Sequence, residues 1–421
     1  MASKSSTGLI WASIGALVLA IATFQLGNGF LGTLISLRVE AEAFAPELVG
    51  IVLAAYFIGY TFGAVRAATI IRRIGHIRAF AAFAGGAAAC VGVMPLLITP
   101  WAWIVERLII GFCCAGLFIA VESWLNAKAE PSNRGQVFAI YMVAFYAAMA
   151  TGQLLVGKVD LASIGAFNLI ACLFAVALVM VTTTRAEAPR LEEATRLPYG
   201  ELTRAAPVAV AGCAVFGMAS GIFYTLAPVW AQAEGYTAAE IGQFMFFAIL
   251  GALCFQPVIG RISDAFDRRF VVAALALGFA ATLVALNILE SHTLPWYVAD
   301  FCMGGFLFTL YPVCVAHAVD RMGPSQVVEI GGRLILVSGI ASSLGPIIGS
   351  YAVESFGTVG FVYVLAMLSA LLTLLIVIRC SRVPGAAKRE KQRFTILSDQ
   401  VPMPAEAGSE VAETAEASET T

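Results

Sequence analysis

Charge is what this sequence has least of. Asp, Glu, Lys and Arg make up 12% of 421 residues, against roughly a quarter in soluble globular domains. With 60% of the residues apolar and a mean hydropathy of +0.88, a chain this long has too little polarity to cover a water-facing surface. The net charge of −2 offers no basic face to a nucleic acid. There are three histidines and no Cys-x-x-Cys or Cys/His cluster, so neither a metal site nor a disulfide framework is indicated. Eight of the nine cysteines fall inside apolar runs and Cys380 at the end of the last one, as small membrane hydrophobes do. No Walker A lysine motif, His-Glu-x-x-His or Gly-x-Ser-x-Gly occurs, which leaves an ATP-driven pump or a hydrolase without support and no cofactor expected. Gly27-Asn28-Gly29-Phe30-Leu31-Gly32 spells a dinucleotide fingerprint, yet lies in an apolar run with no strand before it, where glycines serve helix packing.

What the chain has instead is long apolar runs. A membrane helix needs about 20 such residues, and hydropathy places twelve of them near 9–36, 47–66, 79–98, 101–125, 135–157, 163–184, 207–230, 239–260, 270–289, 295–319, 330–353 and 358–379. A β-barrel would show short alternating strands. The fold class is therefore an all-α membrane protein. Its polar stretch 185–206, with Pro189 and Pro198, divides an N-terminal bundle (1–184) from a C-terminal one (207–379), and 380–421 reads as a tail, largely disordered. The first run is too long for a signal-peptide core and reads as an uncleaved span.

Basic residues set the orientation. With the N-terminus cytoplasmic, Lys4, Arg66, Arg72, Arg73, Arg78, Lys128, Arg134, the arginines of 185–206, Arg261, Arg268, Arg269, Arg321, Arg333 and the basic residues from Arg379 to Arg393 all fall inside, 22 of the 25. Arg38 and Lys158 fall outside and Arg107 within a span. Both termini are expected in the cytoplasm, with Lys388, Arg389, Lys391 and Arg393 against anionic lipid.

The two halves repeat one another. A shift of 192 residues lays GNGFLGTL (27–34) over ASGIFYTL (219–226) and keeps register through Glu42 with Glu234, Gly50 with Gly242 and Gly59 with Gly251. Slightly longer shifts match Pro100-Trp101 with Pro295-Trp296 and Gly152 with Gly345. Duplicated six-helix halves are a pattern of secondary transporters, which place their ligand near mid-membrane between the halves.

That register ends in GRISDAFDRR (260–269), which resembles the cytoplasmic loop motif of the major facilitator superfamily: a Gly, an acid four residues on, then a basic pair. The first copy, ATIIRRIGHIR (68–78), departs from it, with Ala68 for the Gly and Arg72 for the acid. VESWLNAKAEPSNRGQVFAIYM (121–142) and LYPVCVAHAVDR (310–321) resemble the YcaD-like branch. The resemblance covers roughly 9–380. It implies two pseudo-symmetric six-helix bundles, alternating access, a small-molecule substrate, a bacterial inner-membrane location and action as a monomer. It also implies that Asp264, Arg268 and Arg269 latch helix ends, whereas Arg72 and Arg73 lack the acid such a latch needs. Topology alone explains these basic residues as well, though not Asp264.

Ionisable residues within spans are costly and point to function. By the resemblance, the first, fourth, seventh and tenth spans line the cavity. Arg107 and Asp300 then form a gate or substrate-charge pair, or else a static pair, or snorkel to the outer headgroups. Glu122 and His317, near the inner ends of the same spans, carry a coupling proton, close the inner gate or sit solvated at the interface. Glu329 and Arg333 are spaced for a local pair. Gln25 and Asn28 line the cavity or bond neighbouring helices, and no acid shares their span. Tyr56, Tyr60, Tyr141, Tyr224 and Tyr311 are candidate aromatic walls. Helix five reads ATGQLLVG (150–157) without the proline of the antiporter signature, which appears instead as LGPIIG (344–349) in the other half. The readings carried forward are vitamin uptake with riboflavin as the named case, since bacterial riboflavin importers occur among resembling members; proton-coupled efflux of drugs or metabolites; and a non-transporting membrane sensor, which a fused signalling domain would favour.

Overall fold

A computed structural model describes residues 2–129, 133–183, 199–323 and 326–382. All regular structure there is helical: α1 (Ala2–Ala41), α2 (Pro46–Ile74), α3 (His76–Val93), α4 (Pro100–Lys128), α5 (Arg134–Gln153), α6 (Ile164–Thr182), α7 (Tyr199–Ala205), α8 (Pro207–Ala233), α9 (Ala238–Ala265), α10 (Arg268–Ile288), α11 (Leu294–Met322), α12 (Val327–Phe356) and α13 (Val359–Arg382). Twelve of them are long and apolar enough to cross a membrane. The short α7 falls in the stretch expected to be a polar linker and buries Leu202. Most of that stretch (185–198) and most of the expected tail, with Lys388, Arg389, Lys391 and Arg393, lie outside the described residues.

Local chemistry sets the ends. The third helix stops at Val93, short of the expected 98, because Pro95 cannot continue it. Thr99 then caps α4, accepting a bond from the Ala102 amide, and Pro100 takes the first helical position. Trp103 closes the hairpin by donating to the Met94 carbonyl at 3.0 Å. In the second half Trp296 donates to the Leu286 carbonyl at 3.3 Å. The matched pair Trp101 and Trp296 is thus corrected: Trp101 is exposed, and Trp103 is the buried counterpart.

The duplication is built into the packing. A Cβ on Gly59 would strike the Leu108 carbonyl, and one on Gly111 the Tyr56 carbonyl; Gly251 meets Phe301 and Gly304 meets Ala248 in the same way. Gly29 abuts the Met149 carbonyl and Gly152 that of Leu26, while Gly221 abuts Ser342 and Gly345 abuts Met218. Without a Cβ the backbones of α2 and α4, and of α1 and α5, approach to direct contact. The corresponding pairs α9 with α11 and α8 with α12 repeat this, giving two pseudo-symmetric six-helix bundles.

The halves meet along α2 with α12, α5 with α9, and α1 with α8. Their close approaches run from mid-helix toward the end away from Arg72 and Arg268. Gly339 abuts Thr61 in the middle; nearer that end Gly50 abuts Ile347 and Ser350, Gly242 the Gln153 carbonyl, and Gly157 abuts Ala239.

Candidate functional site

Between the halves, near the middle of the helices, lies a cavity of two lobes with free volumes of about 50 and about 40 Å³. Tyr56, Phe57 and Tyr224 border both lobes. The first adds Asn28, Thr33, Arg107, Gln153 and Thr225; the second adds Tyr60, Phe216, Ser220, Ser338 and Ser342. Each lobe takes walls from both bundles. So little space admits a few waters, and anything larger requires the halves to part.

The polar lining is ordered by a short network. Asn28 donates to Gln25 Oε1 at 3.0 Å and accepts from the Cys114 thiol at 3.7 Å. Gln25 is fully buried, its amide nitrogen 3.9 Å from the Met149 sulfur. Gln153 donates to the Gly29 carbonyl at 2.9 Å and accepts from Thr33 at 2.6 Å, tying α5 to the glycine-rich turn of α1. Arg107 lies with its guanidinium 5.0 Å from the centre of the Tyr56 ring, a cation–π distance. It donates to the Leu53 carbonyl at 3.4 Å, while its buried Nε has no acceptor among the described residues.

Of the residues expected to line the cavity, Asn28, Arg107 and Tyr224 do so, and Gln25 stands directly behind Asn28. Tyr141, Asp300 and Tyr311 border neither lobe. Tyr311 packs against Phe216, ring centres 5.6 Å apart, so it backs the wall instead of forming it. Tyr141 is buried in the first bundle between Phe138 and Phe145, beside Glu122. Asp300 is fully buried, and neither of its carboxylate oxygens has a hydrogen-bond partner among the described residues. The expected pairing of Arg107 with Asp300 is not made: Arg107 turns toward α2, and Asp300 stays within the second bundle near Tyr236 and Tyr297.

The arginine-rich end carries a clamp. Arg268 Nε donates to Asp320 Oδ2 at 2.7 Å, and its other nitrogens to Ser263 at 3.0 Å and Asp264 at 3.2 Å. One buried guanidinium thereby joins α9, α10 and α11. Arg269 pairs with Asp267 at 2.8 Å, and Asp267 also caps α10 through the Arg269 amide. His317 is buried close to Asp267, Arg268, Arg269 and Arg321, so it belongs to this cluster and not beside Glu122. In the first half Arg72 and Arg73 are exposed, Arg72 bonding Thr69 of its own helix. His76, which the 192-residue shift lays on Arg268, bonds Ser123 of α4 at 2.8 Å in place of an ion pair.

Sequence reasoning missed Gln153, Asp320, His76 and the buried Glu106. A polar residue interrupting an apolar run was the available signal for Gln153 and Glu106. Nothing in sequence spacing joins Asp320 to Arg268, 52 positions away.

The sequence model of the Major Facilitator Superfamily matches residues 17–254 and 235–413. An uncharacterized transporter of that type from Escherichia coli, YcaD, is 30% identical over 356 residues, spanning 82% of this chain and 92% of that protein. Among solved structures, a variant of the nucleoside transporter NupG superposes with a TM-score of 0.74 at 14% identity, covering 87% of this chain and 99% of that one. A bacterial homologue of the lysosomal transporter Spinster, inward-facing and unoccupied, gives 0.66 at 13% identity, covering 89% and 96%. Both likenesses concern the fold.

Proposed function

Since the chain belongs to the major facilitator superfamily, and so is a membrane transporter and not an enzyme, we propose that it carries a small, flat organic molecule across a bacterial inner membrane by alternating access. The observation that carries this reading is the mid-depth cavity walled by both bundles. Such a cavity changes sides when the bundles rock. The basic residues assign the arginine-rich end to the cytoplasm, with both termini there. The close contacts of Gly50, Gly157 and Gly242 then lie on the outer side, which in this reading supports a state closed to the outside. The protein works as a monomer in this reading.

The aromatic walls Tyr56, Phe57, Tyr60, Phe216 and Tyr224 suit a planar ring system, with Asn28, Gln153, Thr33 and Thr225 for its polar edges. Uptake of a vitamin of the riboflavin type is the case to test first. Glu122, beside Tyr141 in the first bundle, is the candidate carrier of a coupling proton, and His317 with the Asp264, Arg268 and Arg269 clamp of the second bundle is the candidate gating cluster. Coupled efflux is the second reading, and the direction of accumulation separates the two. The experiment is uptake of radiolabelled vitamins and drugs by the purified protein in liposomes, with and without a pH gradient. Saturable accumulation of one compound, with Glu122→Gln losing the gradient dependence but keeping exchange, is expected. A blank screen in both directions overturns the reading.

A further inference from the structure

Among the described residues, Arg107 is the one charged side chain bordering either lobe of the central cavity, and no acid does. Among the described residues no carboxylate answers it. Its contacts are the long bond to the Leu53 carbonyl, the face of Tyr56 and the neighbourhood of the Cys114 thiol. The acids nearest in sequence or depth lie elsewhere: Glu106 toward Cys90, Glu122 beside Tyr141, and Asp300 near Tyr236 and Tyr297 in the other bundle. Nor can the chain snorkel, for Arg107 is only 4% exposed.

A buried cation is held at a cost unless an opposite charge or full hydrogen bonding compensates it. Here an arginine bordering the cavity keeps a buried Nε with no partner among the described residues, and the ring of Tyr56 supplies only a partial answer. A guanidinium is also a planar fork whose donors match the two oxygens of a carboxylate or phosphate. The face of Tyr56 and the Leu53 carbonyl both hold the guanidinium at the border of the cavity. The lobe beside it offers a different surface: Phe216, Tyr60 and the hydroxyls of Ser220, Ser338 and Ser342. Charge and ring binding are thus divided between two adjoining lobes that share Tyr56, Phe57 and Tyr224.

We propose that the cavity selects an aromatic organic anion, its oxyanion seated on Arg107 in one lobe and its ring among Tyr56, Tyr60, Phe216 and Tyr224 in the other. This rests on the transport reading and narrows its substrate class from flat molecules to acidic ones.

Three pairs that differ chiefly in charge test it: nicotinate against nicotinamide, benzoate against benzamide, and riboflavin 5′-phosphate against riboflavin. Uptake of each is measured in liposomes bearing the full chain. The acid of at least one pair should enter more than tenfold faster than its neutral partner. Arg107→Ala should abolish that preference, and Arg107→Lys, which keeps the charge and loses the fork, should retain part of it. Arg107→Gln serves if the alanine variant does not yield a monodisperse protein. Neutral partners carried as fast as their acids, or a preference surviving in the Arg107 variants, overturn the inference while leaving transport intact. Silence from all six compounds overturns it too, and the transport reading falls with it only if the wider vitamin and drug screen is blank.

Discussion

Asp264 is the acid that the loop motif singles out, yet Asp320 should matter more to the clamp. The Arg268 and Asp320 side chains are 1% and 2% exposed and meet at 2.7 Å, whereas Asp264 is 38% exposed and meets Arg268 at 3.2 Å. Removing one partner of a buried ion pair strands the other charge and costs about 3–5 kcal/mol. A half-exposed pair contributes about 0.2–1 kcal/mol. Asp320→Ala should therefore lower stability by about 3–5 kcal/mol, a factor of roughly a hundred to several thousand in the folding equilibrium, and Asp264→Asn by about 1 kcal/mol or less. Replacing both buried partners with apolar side chains removes the stranded charge, so Arg268→Met with Asp320→Leu should recover most of the loss. Unfolding in mixed detergent micelles, followed by tryptophan fluorescence, reads all three. Equal losses in Asp264→Asn and Asp320→Ala, or a double variant no better than Asp320→Ala, would refute the reasoning.

The glycine contacts make a second test. Gly251→Ala drives a Cβ into the Phe301 carbonyl and Gly59→Ala one into that of Leu108, so each should cost about 1–3 kcal/mol by overpacking; Gly92, with open space around it, should accept alanine without loss in the same assay. Gln153→Leu strands the buried Thr33 hydroxyl and removes a second bond from the Gly29 carbonyl, which its own helix still satisfies. The cost should be about 1–3 kcal/mol for the one buried group left unpaired, and a stability equal to wild type would show those bonds to be idle. Burial pushes the Asp267 carboxyl up, but bonding and charge from Arg269 overcome this and hold it below its ordinary value. Its contribution is complete above the unfolded value of about 3.9 and drains away as pH falls through the lower folded one. The gap in unfolding temperature between wild type and Asp267→Asn should therefore close on acidification from about pH 6 to below 4, and a constant gap would contradict the assignment.

The helices, their number and the duplication were legible because each depends on a local or periodic property. Burying backbone in lipid demands long apolar helices, and a duplicated chain repeats its glycines wherever its helices touch. So Gly59 with Gly251 and Gly29 with Gly221 could be matched by eye before their contacts were known. The ends were less legible. Hydropathy carries the third span on to residue 98, while Pro95 breaks it; hydropathy stops the second at 66, while the helix runs on through Arg72.

Site chemistry divided along the same line. That Asn28, Arg107, Glu122 and Asp300 stand out in apolar runs is a fact of sequence, since an ionisable or amide group there is conspicuous by cost alone. Which of them meet is not, because a helix face is fixed by its neighbours. Arg107 and Asp300 lie at like depth in matching helices, yet one borders the cavity and the other is buried in its own bundle. Arg268 finds Asp320 and Ser263 only once α9, α10 and α11 are packed. The sequence by itself determined a duplicated twelve-helix membrane fold, because lipid acts on every residue alike and reads composition. The tertiary structure alone decided that Arg107, with no carboxylate partner among the described residues, borders the space between the halves. That depends on how α4 packs against α2, which the contacts of Gly59 and Gly111 set and no one-dimensional pattern records.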